Sequence, residues 1–288
     1  MSDQAKGLMI TTLAVLMVVP DSLFVRLIGA DALVIAFWRG VVSGGLILLG
    51  VLVWQGVQPY RALPGTGVSG AIYVLAVGAA GVLFPLAVSL TSVANVVFII
   101  AALPVFAALY SRIFLGEAIS RRMVLTMIAV AVGLAILGYG SAETRGAHWT
   151  GDVTALGVAA LFAAGLTAAR KVRRVSMVAA VPVGYLGASA LLWPFVDPLS
   201  IPDGQWHLVA FHGAFIAGSS MGLALGPRYI PSPEVGLLIL LESVLAPLLA
   251  WMVVGEDPGP YALVGGAVVI GALAVSNAVA LSRRKGRV

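Results

Sequence analysis

Apolar residues in this chain do not alternate with polar ones at a strand's period of two, nor do they mark one stripe of a helix. They come in unbroken stretches, separated by short polar gaps. A run of about 20 apolar residues crosses a hydrocarbon layer about 30 Å thick as a helix. Ten such runs are present, at 7–28, 32–54, 67–87, 92–114, 123–140, 153–169, 177–196, 206–225, 232–254 and 261–281. The longest gaps are 55–66 and 141–152, too short for a folded domain on either face. The pattern predicts an all-α polytopic membrane protein of ten transmembrane helices, acting inside the bilayer.

Composition strengthens this reading, with 60% hydrophobic and only 10% charged residues and a mean hydropathy of +1.06. The charges then orient the chain. Fourteen of the seventeen Lys and Arg residues lie at the N-terminus, in the even-numbered gaps or at the C-terminus, which ten spans place on one side. Arg26, Arg39 and Arg145 belong to the other side, where Asp31, Glu143, Asp152, Asp197, Asp203, Glu256 and Asp257 collect. By the positive-inside rule both termini are expected in the cytoplasm, with the chain in a bacterial inner membrane. Net charge is +5, but it sits in short clusters beside helix ends, which argues against nucleic acid as a partner. The first run is longer than the apolar core of an ordinary signal peptide, and its loss would leave the alternation of basic gaps around it, so it is expected to be a span. Zero cysteines exclude disulfides and thiol catalysis.

The halves repeat. Residues 95–117 read NVVFIIAALPVFAALYSRIFLGE and 234–256 read EVGLLILLESVLAPLLAWMVVGE, equal in length and ending in the same Gly-Glu. Arg26 and Arg170 each close the opening helix of a half. The unit is therefore five helices, residues 1–140 and then 141–288. Five is odd, so the second copy enters the membrane inverted, which puts Glu117 and Glu256 on opposite faces. Two inverted five-helix repeats around a central cavity are the architecture of secondary transporters that work by alternating access.

The chain also resembles the drug/metabolite transporter superfamily, specifically ten-helix EamA-type carriers. The likeness rests on Ala36-Phe37-Trp38-Arg39, on Leu103-Pro104-Val105-Phe106 with Gly116-Glu117, and on Pro231-Ser232-Pro233-Glu234-Val235-Gly236-Leu237 with Leu241-Glu242-Ser243 and Gly255-Glu256. The nearest branch is that of YddG-like amino-acid exporters, aromatic amino acids included. The resemblance implies export of small metabolites. Ser243 stands where many halves of the family carry Pro, with Pro247 four residues on, so a displaced kink is expected in the ninth helix.

Charges inside hydrocarbon each cost about 2.5 to 3.5 kcal/mol or more at mid-helix unless paired or hydrated, and so mark candidate sites. Asp21, Arg39 and Glu242 qualify. At about 1.5 Å per residue all three fall at nearly one depth, roughly 10 Å below the outer helix ends for Asp21 and Arg39. They are expected to form one polar node. In one version Arg39 or Glu242 meets the carboxylate or ammonium of a zwitterionic substrate, with a protonatable Glu242 coupling export to protons; in the other the node clamps helices and touches no substrate. Ser22, Tyr73, Asn95, Tyr185 and Ser243 are further pathway candidates, as is Tyr110, each set against a plain bond to a neighbouring carbonyl. Trp38, Trp193 and Trp251 are candidate apolar walls for an aromatic substrate. Pro20, Pro85, Pro104, Pro182 and Pro247 are candidate kinks or gates. Gly218, Gly222 and Gly226 on the eighth span, and Gly40 with Gly44 on the second, predict close helix packing.

No nucleotide loop, GxSxG or HExxH is present, so no enzymatic role, catalytic residue or cofactor is expected. His207 and His212 lack a third ligand nearby in sequence, and no metal is expected. The expected partners are a small-molecule substrate, an amino acid or similar metabolite, and the lipid bilayer; a homodimer is compatible with the sequence. The alternatives to an amino-acid exporter are a lipophilic-drug or other metabolite exporter and, from another class, a channel or a non-transporting membrane sensor.

Overall fold

Two prolines divide the spans that carry them. A proline supplies no backbone N–H and its ring crowds the preceding turn. In the computed structural model, which describes residues 3–116, 118–143, 148–172, 174–225, 229 and 232–285, the first span accordingly consists of α1 (Asp3–Val18) and α2 (Asp21–Leu27), broken at Val19 and Pro20. The fourth consists of α6 (Val93–Ile100) and α7 (Leu103–Leu115), broken at Ala101 and Ala102 with Pro104 in the first turn of α7. The others are α3 (Ala32–Gln55), α5 (Gly67–Leu90), α8 (Arg121–Glu143), α9 (Trp149–Lys171), α10 (Ala180–Leu192), α11 (Trp206–Leu225), α12 (Ser232–Val254) and α13 (Gly259–Lys285). A short helix, α4 (Gln58–Ala62), bridges the second and third spans.

The other candidate prolines leave their helices unbroken. Helix α5 continues through Pro85 and α12 through Pro247. Pro182 is the third residue of α10, where its missing N–H would have had no intrahelical partner anyway.

Among the described residues there is no strand. Nine helical stretches among these residues are long and apolar enough to cross a membrane, and Leu241–Val254 is the shorter apolar stretch of the ninth span. The result is a ten-helix fold of two repeats. Side chains such as Met252, Trp54 and Leu75, 80%, 79% and 69% exposed, form an apolar outer surface suited to lipid.

Spans pair across the repeats: the first with the eighth (α1, α11), the second with the seventh (α3, α10), the third with the sixth (α5, α9) and the fifth with the tenth (α8, α13). The fourth and ninth meet through α6 and α12. Small residues make the close contacts, because no hydrophobic force holds helices together in lipid and dispersion contact must do so instead. A Cβ on Gly265 would stand 2.8 Å from the Gly133 carbonyl oxygen, and one on Gly78 would stand 2.6 Å from that of Gly184. The predicted Gly steps lie on such seams: Gly40 and Gly44 face Ser189, Tyr185 and Leu186 of α10, while Gly218 and Gly222 face Met17 and Ala14 of α1. Gly226, Glu117 and Glu234 fall outside the residues whose side chains are described.

Candidate functional site

The break at Pro20 makes Asp21 the first residue of α2, wholly buried. Two turns into α3, Arg39 presents its guanidinium to it in a two-pronged contact. Nε donates to Oδ1 at 3.1 Å and Nη2 to Oδ2 at 2.7 Å. These side chains are only 5% and 3% exposed. Burying two charges costs several kcal/mol per ion, repaid here only because the planar fork meets the carboxylate along two bonds.

The third partner is His212 of α11, buried, whose Nε2 lies 2.6 Å from Asp21 Oδ1. Phe24 stacks on its ring at 5.4 Å. The expected node therefore forms with a different third member. Glu242, on α12, is half-buried and within electrostatic reach of Asp21 and Arg39, but no hydrogen bond or ion pair joins it to them among the described residues. His212 was legible only as a histidine near a helix end. Six residues into α11, it reaches the depth of the pair by the same count, but the direction its ring faces depends on how α11 packs against α2, which span counting does not supply.

The aromatic rings of Phe84 and Tyr185 lie 5.6 and 5.8 Å from the Arg39 guanidinium carbon, and their electron-rich faces add attraction for the cation. The Tyr185 hydroxyl pairs with Ser220 at 3.1 Å. Ser43 donates to the Arg39 carbonyl and Ser189 to that of Phe37. The void beside Arg39, lined by Ala36, Gly40, Gly81, Tyr185 and Ser189 among others, measures only about 10 Å³.

The remaining candidates divide. Ser243 lies on α12 beside Glu242 and reaches the Val97 carbonyl of α6 at 3.5 Å, which brings the fourth and ninth spans together at this depth. Buried Ser22 has no hydrogen-bond partner for its hydroxyl among the described residues. Tyr73 is half-buried against Tyr185 and its neighbours, and Tyr110 is half-buried with Phe114 at 6.1 Å. Asn95 donates to Asp152 Oδ1 at 3.3 Å and to Thr91 Oγ1 at 3.4 Å, joining α6 to α9 away from Arg39. Trp38 also belongs elsewhere: its indole donates to the Pro198 carbonyl at 2.8 Å, edge-on to Trp206 at 5.2 Å. Trp193, 5.7 Å from the Phe37 ring, and Trp251 are 62% and 55% exposed. Among the described residues no cluster of three or more His, Cys, Asp or Glu is placed to hold a metal.

Ten helices in two repeats, enclosing a buried ionic cluster at membrane depth, define a polytopic membrane protein of the transporter class. The chain belongs to the EamA-like transporter family, whose model matches residues 5–139 and again 149–278. A solved crystal structure, described only as that of a protein, is similar along nearly the whole length, with a TM-score of 0.66, 20% identity, and 98% of this chain and 99% of the other covered. At that identity it supports the fold alone. No curated protein matches the chain in sequence.

Proposed function

We propose that this transporter exports small amphipathic metabolites, foremost amino acids including aromatic ones, across the bacterial inner membrane by alternating access, with both termini in the cytoplasm. The observation that carries this reading is Glu242. It is a half-buried carboxylate at membrane depth with no hydrogen-bond partner among the described residues, whereas the other two charges there satisfy one another. An intramembrane carboxylate left over in this way suits the ammonium group of a substrate. The Arg39 fork, already filled by Asp21, is the clamp, and Glu242 is the group that meets cargo. Resemblance to amino-acid exporters supports the same substrate class.

The test is uptake of labelled phenylalanine and leucine into proteoliposomes by native protein and by Glu242→Gln. Saturable uptake, stimulated by substrate on the far side, is expected for the native protein, with a rise in KM of at least about tenfold on losing one charge-assisted contact. Unchanged KM in the Gln variant would remove Glu242 from the substrate site. Uptake without saturation would mean a channel. A lipophilic amine drug satisfies Glu242 equally well, so transport of such amines with no amino-acid uptake would assign the protein to drug export.

A further inference from the structure

On the face of the membrane away from the termini, a second charged cluster joins four elements. Arg26, near the end of α2, forms an ion pair with Glu256, its Nε 2.7 Å from Oε2. That N–H is not aimed along the line to the oxygen, so the contact is ionic rather than a linear hydrogen bond. Arg26 Nη2 also donates to the Thr91 carbonyl at 2.8 Å, and Glu256 Oε1 accepts from the Val93 amide, the first N–H of α6, at 2.5 Å. Thr91 Oγ1 in turn donates to Asp152 of α9 at 2.9 Å. The first span, the turn between third and fourth, the sixth span and the link between ninth and tenth are thus tied together.

Two features distinguish this cluster from the Asp21–Arg39 pair. Its side chains are 27% and 20% exposed, against 5% and 3%. Parting a buried pair strands bare charges in a dry interior, while parting a hydrated pair lets water take over each ion. Glu256 also rides on a short connector flanked by Gly255 and Gly259, at φ of +68° and +74°. Only glycine adopts this left-handed backbone at no cost, so the connector ends where the chain can re-aim. Below the cluster the two parts of the fourth span differ. Val93 to Ile99 of α6 are all buried, whereas in α7 most side chains are half-buried or exposed.

We propose that Arg26 and Glu256 form a breakable latch holding the face away from the termini shut, and that the transport cycle passes through a state in which this ion pair is parted. The proposal rests on the carrier reading given above. Asp21–Arg39 keeps helices together throughout, and Arg26–Glu256 decides which side of the membrane the interior faces.

Because the chain has no cysteine, Val97→Cys, one turn into α6, provides a single reporter for a membrane-impermeant maleimide applied to either side of sealed vesicles. In the otherwise native protein, labelling is expected chiefly from the termini side. Glu256→Gln should raise the rate from the far side roughly tenfold and lower it from the termini side, the size expected for a lost charge-assisted contact acting on a two-state equilibrium. Arg26→Gln should do the same, and the double variant no more than either, since both remove one interaction. An unchanged ratio of the two rates overturns the latch. So does a rise from both sides together, which signals a loosened fold, or additive shifts in the double variant. Labelling needs no substrate, so failure here is separable from failure of the uptake assay.

Discussion

Replacing Asp21 by Asn keeps the shape of the side chain and removes one charge from a pair whose members are 5% and 3% exposed. Removing one partner from a buried ion pair costs about 3–5 kcal/mol, because the other charge is left uncompensated. The Asn carbonyl still accepts one bond from Arg39, which returns about 1 kcal/mol. The expected net loss is about 3 kcal/mol. At the ~2–4 °C per kcal/mol typical of larger domains, this lowers Tm by about 6–12 °C. Thermal aggregation in detergent, followed by size-exclusion chromatography of the soluble fraction, reads the shift. The companion variant Asp21→Asn with Arg39→Gln removes both charges, and should be more stable than the sum of the single losses by at least about 1.5 kcal/mol. A fall of less than about 2 °C in the single variant, or strict additivity in the double, would refute the clamp, because an uncompensated buried charge cannot cost so little.

Two further outcomes follow from packing. Gly265→Ala is expected to lose about 1–3 kcal/mol in the same assay, because its Cβ would meet the Gly133 carbonyl and Leu137 Cγ at 2.8 Å, whereas Gly271→Ala on the same helix meets nothing within 4 Å and should be neutral or better. Ser22→Ala removes a buried hydroxyl with no bond among the described residues and should leave stability unchanged or raise it by up to about 1 kcal/mol; a clear loss would reveal a partner for that hydroxyl.

Span number and helical class were legible because length and hydropathy decide them locally. The Asp21–Arg39 contact was legible for a related reason. Both lie on consecutive antiparallel spans, so counting residues from the shared loop places them at one depth. Glu242 satisfied the same count without joining the pair, and His212 joined it unannounced. Depth is one coordinate, while a hydrogen bond also requires the rotation of each helix about its axis, which is set by the Gly seams between distant spans. The prolines show the same limit. Pro20 and Pro104 coincide with breaks, but Pro85 and Pro247 sit in helices that continue, since neighbouring helices can hold a frayed turn in place. Arg26 and Glu256 were visible as charges on one face, yet nothing in their spacing linked residues 230 positions apart.

The pairing of first with eighth, second with seventh, third with sixth and fifth with tenth spans also bears on how the protein is made. None of these partners of the first half exists until the second half has been synthesised. The early spans enter the membrane with their small-residue faces turned to lipid, and the Asp21–Arg39 pair lacks Tyr185 and His212 until α10 and α11 arrive. Assembly is therefore a closing of two interleaved combs rather than the docking of two finished domains, and a chain stopped after residue 140 would keep contacts such as that of α3 with α5 but lack every one of these cross-repeat pairings.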